Sequence, residues 1–398
     1  MLRSLFAGIS GLRTHQTMMD VTANNIANVN TTGYKSATIV FEDTLSQLTR
    51  AAGAPGAGIG STNPSQVGLG VQVGSIENNF TQGSAQITNK PTDIMIQGDG
   101  FFIIQNGNEQ VYSRAGAFTF DADGYLTNSD GNFLQGFPAT NGVVDPYAEL
   151  TDIRLQVGST LKSQPSSSIT VGGNIPVSQQ NTITLSQTAY DVKGVAHPLQ
   201  IVMTYNGTDG YDVAITDSTD PAVTGTGAVT FDPVTGDAIT PATATVTLGD
   251  GTAITVDLNG LTNYDGVKSF GIKDADGFAA GSLTQFQIAP NGNVIGIYSN
   301  GAKQLQGQVA LANFNNPQGL EKLGDSTYRT TPNSGIPQIG SPTTGGRGVL
   351  QAGTLEMSNV DLGAEFTNLI IAQRGFQANS RVITSSDEML QELVNIKR

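Results

Sequence analysis

The two ends of the chain constrain everything between them. From Leu2, alternating steps of three and four residues select Leu2, Leu5, Ile9, Leu12, Gln16, Met19, Ala23 and Ile26, a heptad stripe with one polar interruption. Residues 1–30 are therefore expected to form one amphipathic helix. Such a narrow stripe is stabilised mostly by a helix packed against it. The same stepping at the other end selects Phe366, Leu369, Gln373, Phe376, Ser380, Ile383, Asp387, Leu390 and Val394. Ser358 followed by Asp361 resembles a capping box, so a second helix is expected to begin there and fill 361–398. Both ends read as paired coiled-coil strands, and the chain between must return to its starting point. An assembly subunit is the class this implies.

Between the ends, 49 glycines, no tryptophan and only 13% charged residues point to a turn-rich, mainly β protein large enough for two or three domains. The formal net charge of -14 argues against a nucleic-acid or anionic-membrane surface. The absence of cysteine excludes disulfides, thiolate catalysis and cysteine-ligated metals. The start of the chain lacks the unbroken apolar run and cleavage pattern of a secretory signal, and no eighteen-residue apolar window suits a membrane span. Export, if it occurs, is expected without a cleaved signal peptide.

In chain order, residues 31–70 read as a linker, built at 51–60 mostly of alanine and glycine with little side chain to bury. Residues 71–145 and 281–360 read as one discontinuous inner β domain. Hairpin turns mark it at Gly98-Asp-Gly100, Asp121-Ala-Asp-Gly124, Asn128-Ser-Asp-Gly131 and Asn300-Gly301. Residues 146–280 read as an inserted outer β domain with threonine-rich, half-solvated strands.

The run Asn24-Asn-Ile-Ala-Asn-Val-Asn-Thr-Thr-Gly-Tyr-Lys35 breaks the helical pattern and, by physics alone, is a helix terminus with Gly33 as its left-handed stop. It also resembles the signature of the flagellar axial proteins, the family of rod, hook and hook-associated subunits, carried here by Asn24, Asn25, Ile26, Ala27, Asn28, Gly33, Tyr34 and Lys35. Gly8-Ile-Ser-Gly-Leu12, Gln97-Gly-Asp-Gly-Phe-Phe-Ile-Ile104, Leu355-Glu-Met-Ser-Asn-Val-Asp361 and Gln373-Arg-Gly-Phe-Gln-Ala-Asn379 resemble the same family. Gln308-Val-Ala-Leu-Ala-Asn-Phe-Asn-Asn-Pro-Gln-Gly-Leu320 resembles its hook members rather than the shorter rod members. Phe41 and Leu45, four apart, read as a short helical turn. The resemblance offers instead an export-gate docking motif.

Catalytic chemistry finds little footing. His15 falls beside the helical stripe and His197 precedes Pro198, neither in a nucleophile or metal motif. Glu42-Asp43 and Asp387-Glu388 read as solvated pairs. Gly68-Leu-Gly-Val-Gln-Val-Gly74 lacks the lysine and helix of a phosphate loop. Asp121 and Asp123 miss calcium-loop spacing, with Asn132 where a bidentate glutamate belongs. No cofactor or metal is expected.

The resemblance implies a structural subunit of the flagellar hook, polymerising into a curved tube that passes torque from rod to filament. Its implied partners are itself, rod and hook-filament junction proteins, the hook cap and the export apparatus, with an extracellular location and neither nucleic acid nor membrane insertion. A distal rod subunit is the alternative within the family. A secreted carbohydrate-acting enzyme is the alternative outside it, and an adhesin-like module would leave the terminal heptads unexplained.

Overall fold

The computed structural model describes residues 2–53, 61–140, 142–155, 158, 160–208, 210–239 and 241–396, so part of the expected linker, 54–60, lies outside the described residues. The fold is mainly β, with one long helix at each end, α1 (Leu2–Ala27) and α2 (Leu362–Ile396). The cap of α2 differs from expectation by three residues. Asp361 Oδ1 accepts the amides of Gly363 (2.8 Å) and Ala364 (3.3 Å), whereas Ser358 Oγ accepts only that of Val360. A carboxylate at the positive helix end is the stronger cap.

The chain divides into two compact units, one of residues 1–155, 287–295 and 305–398, the other of 156–286 and 296–304. Residues 146–155 thus fall with the first unit, and 281–286 and 296–304 with the second.

In the first unit, much of the expected linker is sheet. The strand Ala37–Asp43 pairs antiparallel with Val71–Asn78, and Ser46–Arg50 continues the ribbon against Ser65–Gly68. The β-branched run Thr38-Ile-Val40 meets Ile76, Ser75 and Glu77 across the ladder, so local β preference outweighs the polar composition nearby. Phe41 therefore lies in a strand, at a register shift after Val40, and not in a helical turn. Beyond the ribbon, Phe101–Asn106 and Glu109–Ser113 form a hairpin whose turn uses the positive φ of Gly107. Phe101-Phe-Ile-Ile104 is buried on both faces, as its continuous apolar run requires. Phe101 stacks edge-on against Phe314 and Phe80, and Phe102 against Phe118. The C-terminal return pairs Val349–Ala352 with Ile94–Gln97 and Thr354–Glu356 with Ala85–Ile87, bringing the start of α2 back to the end of α1.

The second unit is an eight-stranded sheet in the order Ile183–Tyr190, Ala196–Tyr205, Gly210–Asp217, Thr224–Thr230, Thr243–Thr247, Ala253–Thr262, Ser168–Asn174, Gly271–Ala275. Only Ser168–Asn174 and Ala253–Thr262 run parallel. The first and last strands approach each other, curling the sheet around a core that includes Ile169, Leu199, Ile201, Ile215, Val246 and Val256. Thr243-Ala-Thr-Val-Thr247 shows the logic, with threonines outside and Ala244 and Val246 inside.

Candidate assembly surface

The terminal helices pack antiparallel. Ser4 lies 3.5 Å from Ser386 between hydroxyl oxygens, Gly8 faces Ile383, Gly11 faces Asn379, Gly375 faces the His15 ring, and Asn25 Nδ2 donates to Glu365 Oε1 at 2.9 Å. Small residues set the separation. A methyl group on Gly11 would stand 2.7 Å from the Asn379 side chain, and one on Gly375 2.5 Å from the imidazole of His15.

In α1 this contact line is not the expected apolar stripe, whereas in α2 it includes the stripe residue Ile383. In α1 it passes through Ser4, Gly8, Gly11, His15 and Asn25, one residue before the stripe positions Leu5, Ile9, Leu12 and Ile26. Leu5, Leu12, Met19 and Ile26 are left half-buried on the flank and Ile9 is exposed, while the side chain of Leu2 lies outside the described residues. In α2, Leu369, Phe376, Ile383 and Leu390 are half-buried, but Phe366 is 51% and Val394 68% exposed. Close backbone approach at glycine, and a buried hydrogen bond at Asn25, win over interdigitated bulk. The pair consequently presents large apolar side chains outward, Phe6 (67% exposed), Phe366, Ile370, Ile371, Val382 and Met389 among them. A groove of about 400 Å³ lies between α1 and the ribbon, lined by Phe6, Ile9, Arg13, Thr17, Val71 and Val73.

Beneath the pair, the signature residues form a polar node. Asn25 Oδ1 accepts from Ala37 N and from the Tyr34 hydroxyl, and its Nδ2 donates to Ala37 O as well as to Glu365. Asn28 Nδ2 donates to Asn24 O and Oδ1, closing the end of α1 after Ala27. Gly33 has φ 67° and lies so close to the Ala115 backbone that a side chain has no room; its amide donates to Glu356 O at 2.8 Å. Lys35 is wholly buried. Its Nζ donates to Glu356 Oε1 (2.7 Å) and Thr81 O (2.8 Å). The Glu356 Oε1 atom also accepts the Gly83 amide, and Oε2 stands 3.7 Å from Arg114 Nη1. Asn359 ties in Ser36, Asn79 and Thr81.

Burial lowers the pKa of Lys35 and of Arg114, and the Glu356 charge opposes both shifts. Burial raises the Tyr34 hydroxyl, with the charge of Glu365 adding to it. Arg114 and Glu365 stood outside every sequence motif, while Glu356 and Asn359 stood in the motif Leu355–Asp361 without a partner assigned to them. The available signal was single charged residues inside otherwise uncharged segments that pattern as buried, such as Arg114 after Val111-Tyr-Ser113.

Elsewhere the geometry is structural. Asp121 Oδ1 accepts the amides of Asp123 and Tyr125, which closes a hairpin turn. His15 meets the Phe41 ring edge-on at 5.8 Å, and Leu45 is 84% exposed. Residues 71–74 belong to the strand Val71–Asn78. His197, unpaired in the sequence reading, has Nδ1 2.7 Å from Asp217 Oδ2. Among the described residues, no three His, Asp or Glu side chains converge on a point that could hold a metal, and no helix is long and apolar enough to cross a membrane.

Comparison with known proteins matches residues 5–35 to the family "Flagella basal body rod protein", 95–193 to "Flagellar hook protein FlgE/F/G D1 domain" and 351–396 to "Flagellar basal body rod FlgEFG protein C-terminal". The chain is 34% identical over 443 residues to flagellar hook protein FlgE of Borreliella burgdorferi and 35% identical over 467 residues to that of Treponema pallidum, covering 100% of both chains each time. It is also 32% identical over 399 residues to the flagellar basal-body rod protein FlgG of Bacillus subtilis, again with full coverage. Among solved structures, the Helicobacter pylori flagellar hook protein FlgE2 superposes with a TM-score of 0.54 at 15% identity, covering 68% of this chain and all of the other, a likeness of fold.

Proposed function

The chain belongs to the flagellar hook and rod protein family, as a structural subunit of the hook, and we propose that the outward apolar faces of its helix pair are the surfaces through which copies join. The observation that carries this is the exposure of Phe6, Phe366, Ile370, Ile371, Val382 and Met389 on helices already paired through other residues. Covering a side chain of this size is worth about 1.5–3 kcal/mol, and leaving several in water is a cost that a neighbouring copy removes. Two different faces on one chain make a heterologous contact, which propagates into a filament when it does not close.

In this reading the stripe residues Leu2, Leu5, Ile9, Leu12, Met19, Ile26, Phe366, Leu369, Phe376, Ile383, Leu390 and Val394 serve contacts within and between copies. The helices form the inner wall of a tube and the β units its outer layers. Polar β surfaces rich in threonine allow neighbouring copies to shift as the tube bends, while the helices carry torque along the axis. Rod and hook-filament junction proteins meet its ends, a hook cap covers the growing end, and the export apparatus delivers the chain to an extracellular position. Phe41, beside His15, and Leu45, 84% exposed between the two ribbon strands, are the proposed export contact. Rod function is the lesser reading, supported by the Bacillus subtilis relative.

The test is substitution. Leu12→Asp or Leu390→Asp, each at a half-buried helical position, abolishes polymerisation of purified chain as seen by electron microscopy. Tubes of normal length and number from either variant would refute the reading.

A further inference from the structure

Eight exposed charges on the helices enter none of the ion pairs among the described residues, Arg3, Arg13 and Asp20 on α1 and Arg374, Arg381, Asp387, Glu388 and Glu392 on α2, and within them Arg13 with Asp20 and Arg381 with Glu388 form two sets of opposite charge. Members of each set are seven residues apart, two helical turns, so they share a face with a drift of about 20°. Both sets run from positive to negative along the chain. Parallel apposition of the two faces sets like against like, whereas antiparallel apposition sets Arg13 against Glu388 and Asp20 against Arg381.

These pairs cannot form within one chain. Ser386 is level with Ser4 there, which places Glu388 roughly 16 Å along the axis from Arg13. The partner is a second copy. In the antiparallel register Met389, 53% exposed, comes level with Leu12 and Arg13, at the mouth of the groove formed by Phe6, Ile9, Arg13, Thr17, Val71 and Val73.

We propose that in the polymer α1 of one copy packs antiparallel on α2 of another, fixed in register by Arg13–Glu388 and Asp20–Arg381, with Met389 seated in that groove. The inference rests on the reading of the chain as a self-assembling subunit and names the neighbour each outer face meets. Apolar burial supplies attraction without direction, and the alternating charges reject the parallel and slipped alternatives.

The experiment uses the full chain. R13E and E388R singly each raise the concentration of free chain coexisting with polymer about ten-fold, and R13E/E388R together restore it to within about two-fold. A second measurement does not depend on those variants assembling. The chain has no cysteine, so R13C and E388C placed in separate chains, mixed and polymerised, are its only thiols. A short bismaleimide then yields dimers containing one of each. Polymers insensitive to R13E, a double variant no better than the singles, or mixed polymers without cross-links would overturn this register while leaving the assembly reading intact. Failure of the unmodified chain to polymerise would instead remove the assembly reading and this register with it.

Discussion

Replacing Glu356 by glutamine tests whether the node beneath the helices holds the first unit together. The substitution keeps the shape of the side chain and one oxygen, which can still accept from Lys35 Nζ and the Gly83 amide, at 2.7 and 2.9 Å in the parent. It removes the carboxylate that stands between Lys35 and Arg114, whose side chains are 0% and 3% exposed, and turns an amide NH₂ toward Arg114 Nη1 where an oxygen stood at 3.7 Å. Breaking a buried pair while leaving a charge behind costs about 3–5 kcal/mol. The two surviving hydrogen bonds return about 0.5 kcal/mol each. The net expectation is a loss of about 2–4 kcal/mol, a large part of the stability of a typical domain. Amide exchange at Gly33 and Gly83 reads it directly, since the Gly33 amide binds the Glu356 carbonyl and the Gly83 amide its side chain. Protection should fall by about thirty-fold or more at both. A change below about 0.5 kcal/mol would refute the account of the node.

Three further substitutions separate the remaining parts. Gly375→Ala, whose methyl would meet the His15 ring at 2.5 Å, should cost about 1–3 kcal/mol of helix pairing, read as lost thermal stability of the far-ultraviolet helical signal. Gly8→Ala, where the nearest atom is 3.3 Å away, should cost less; equal effects would contradict close glycine packing as the determinant. In the second unit, burial alone would raise the Asp217 carboxyl, but hydrogen bonds from the Thr219 hydroxyl and amide and from His197 outweigh it and hold the pKa below its ordinary value. A depressed folded-state pKa gives stability that is present above the unfolded value and lost as pH falls through the folded one. Protection of amides in Ala196–Asp217 should therefore decline below about pH 4, and Asp217→Asn should remove part of that decline; an identical profile in the variant would exclude Asp217 as a contributor.

The helices and the mainly β class were legible because periodicity and turn chemistry are local, and the hook resemblance because short motifs such as Asn24–Lys35 and Gln308–Leu320 match a known family. The face on which the helices meet was not. The stripe through Leu5, Leu12 and Met19 marks where apolar bulk lies, but Gly8, Gly11 and Gly375 decide where two backbones can approach, and a hydrophobicity pattern is blind to residues chosen for having no side chain. The ribbon at 37–78 was obscured in a similar way, because its stability comes from pairing fifteen to forty-one residues apart, across a stretch at 51–60 made mostly of alanine and glycine. The node was half visible. Asn25, Tyr34 and Lys35 stood out, but their partners Glu356 and Glu365 are more than three hundred residues away, and no local signal joins them.

The central claim is that the terminal helices make this chain polymerise. Electron microscopy of the purified full-length chain beside a version lacking residues 1–30 and 361–398 tests it most directly. Curved tubes are expected from the intact chain and dispersed particles from the shortened one; tubes from both, or a full-length chain that stays monomeric at every concentration, would contradict assembly through the terminal helices.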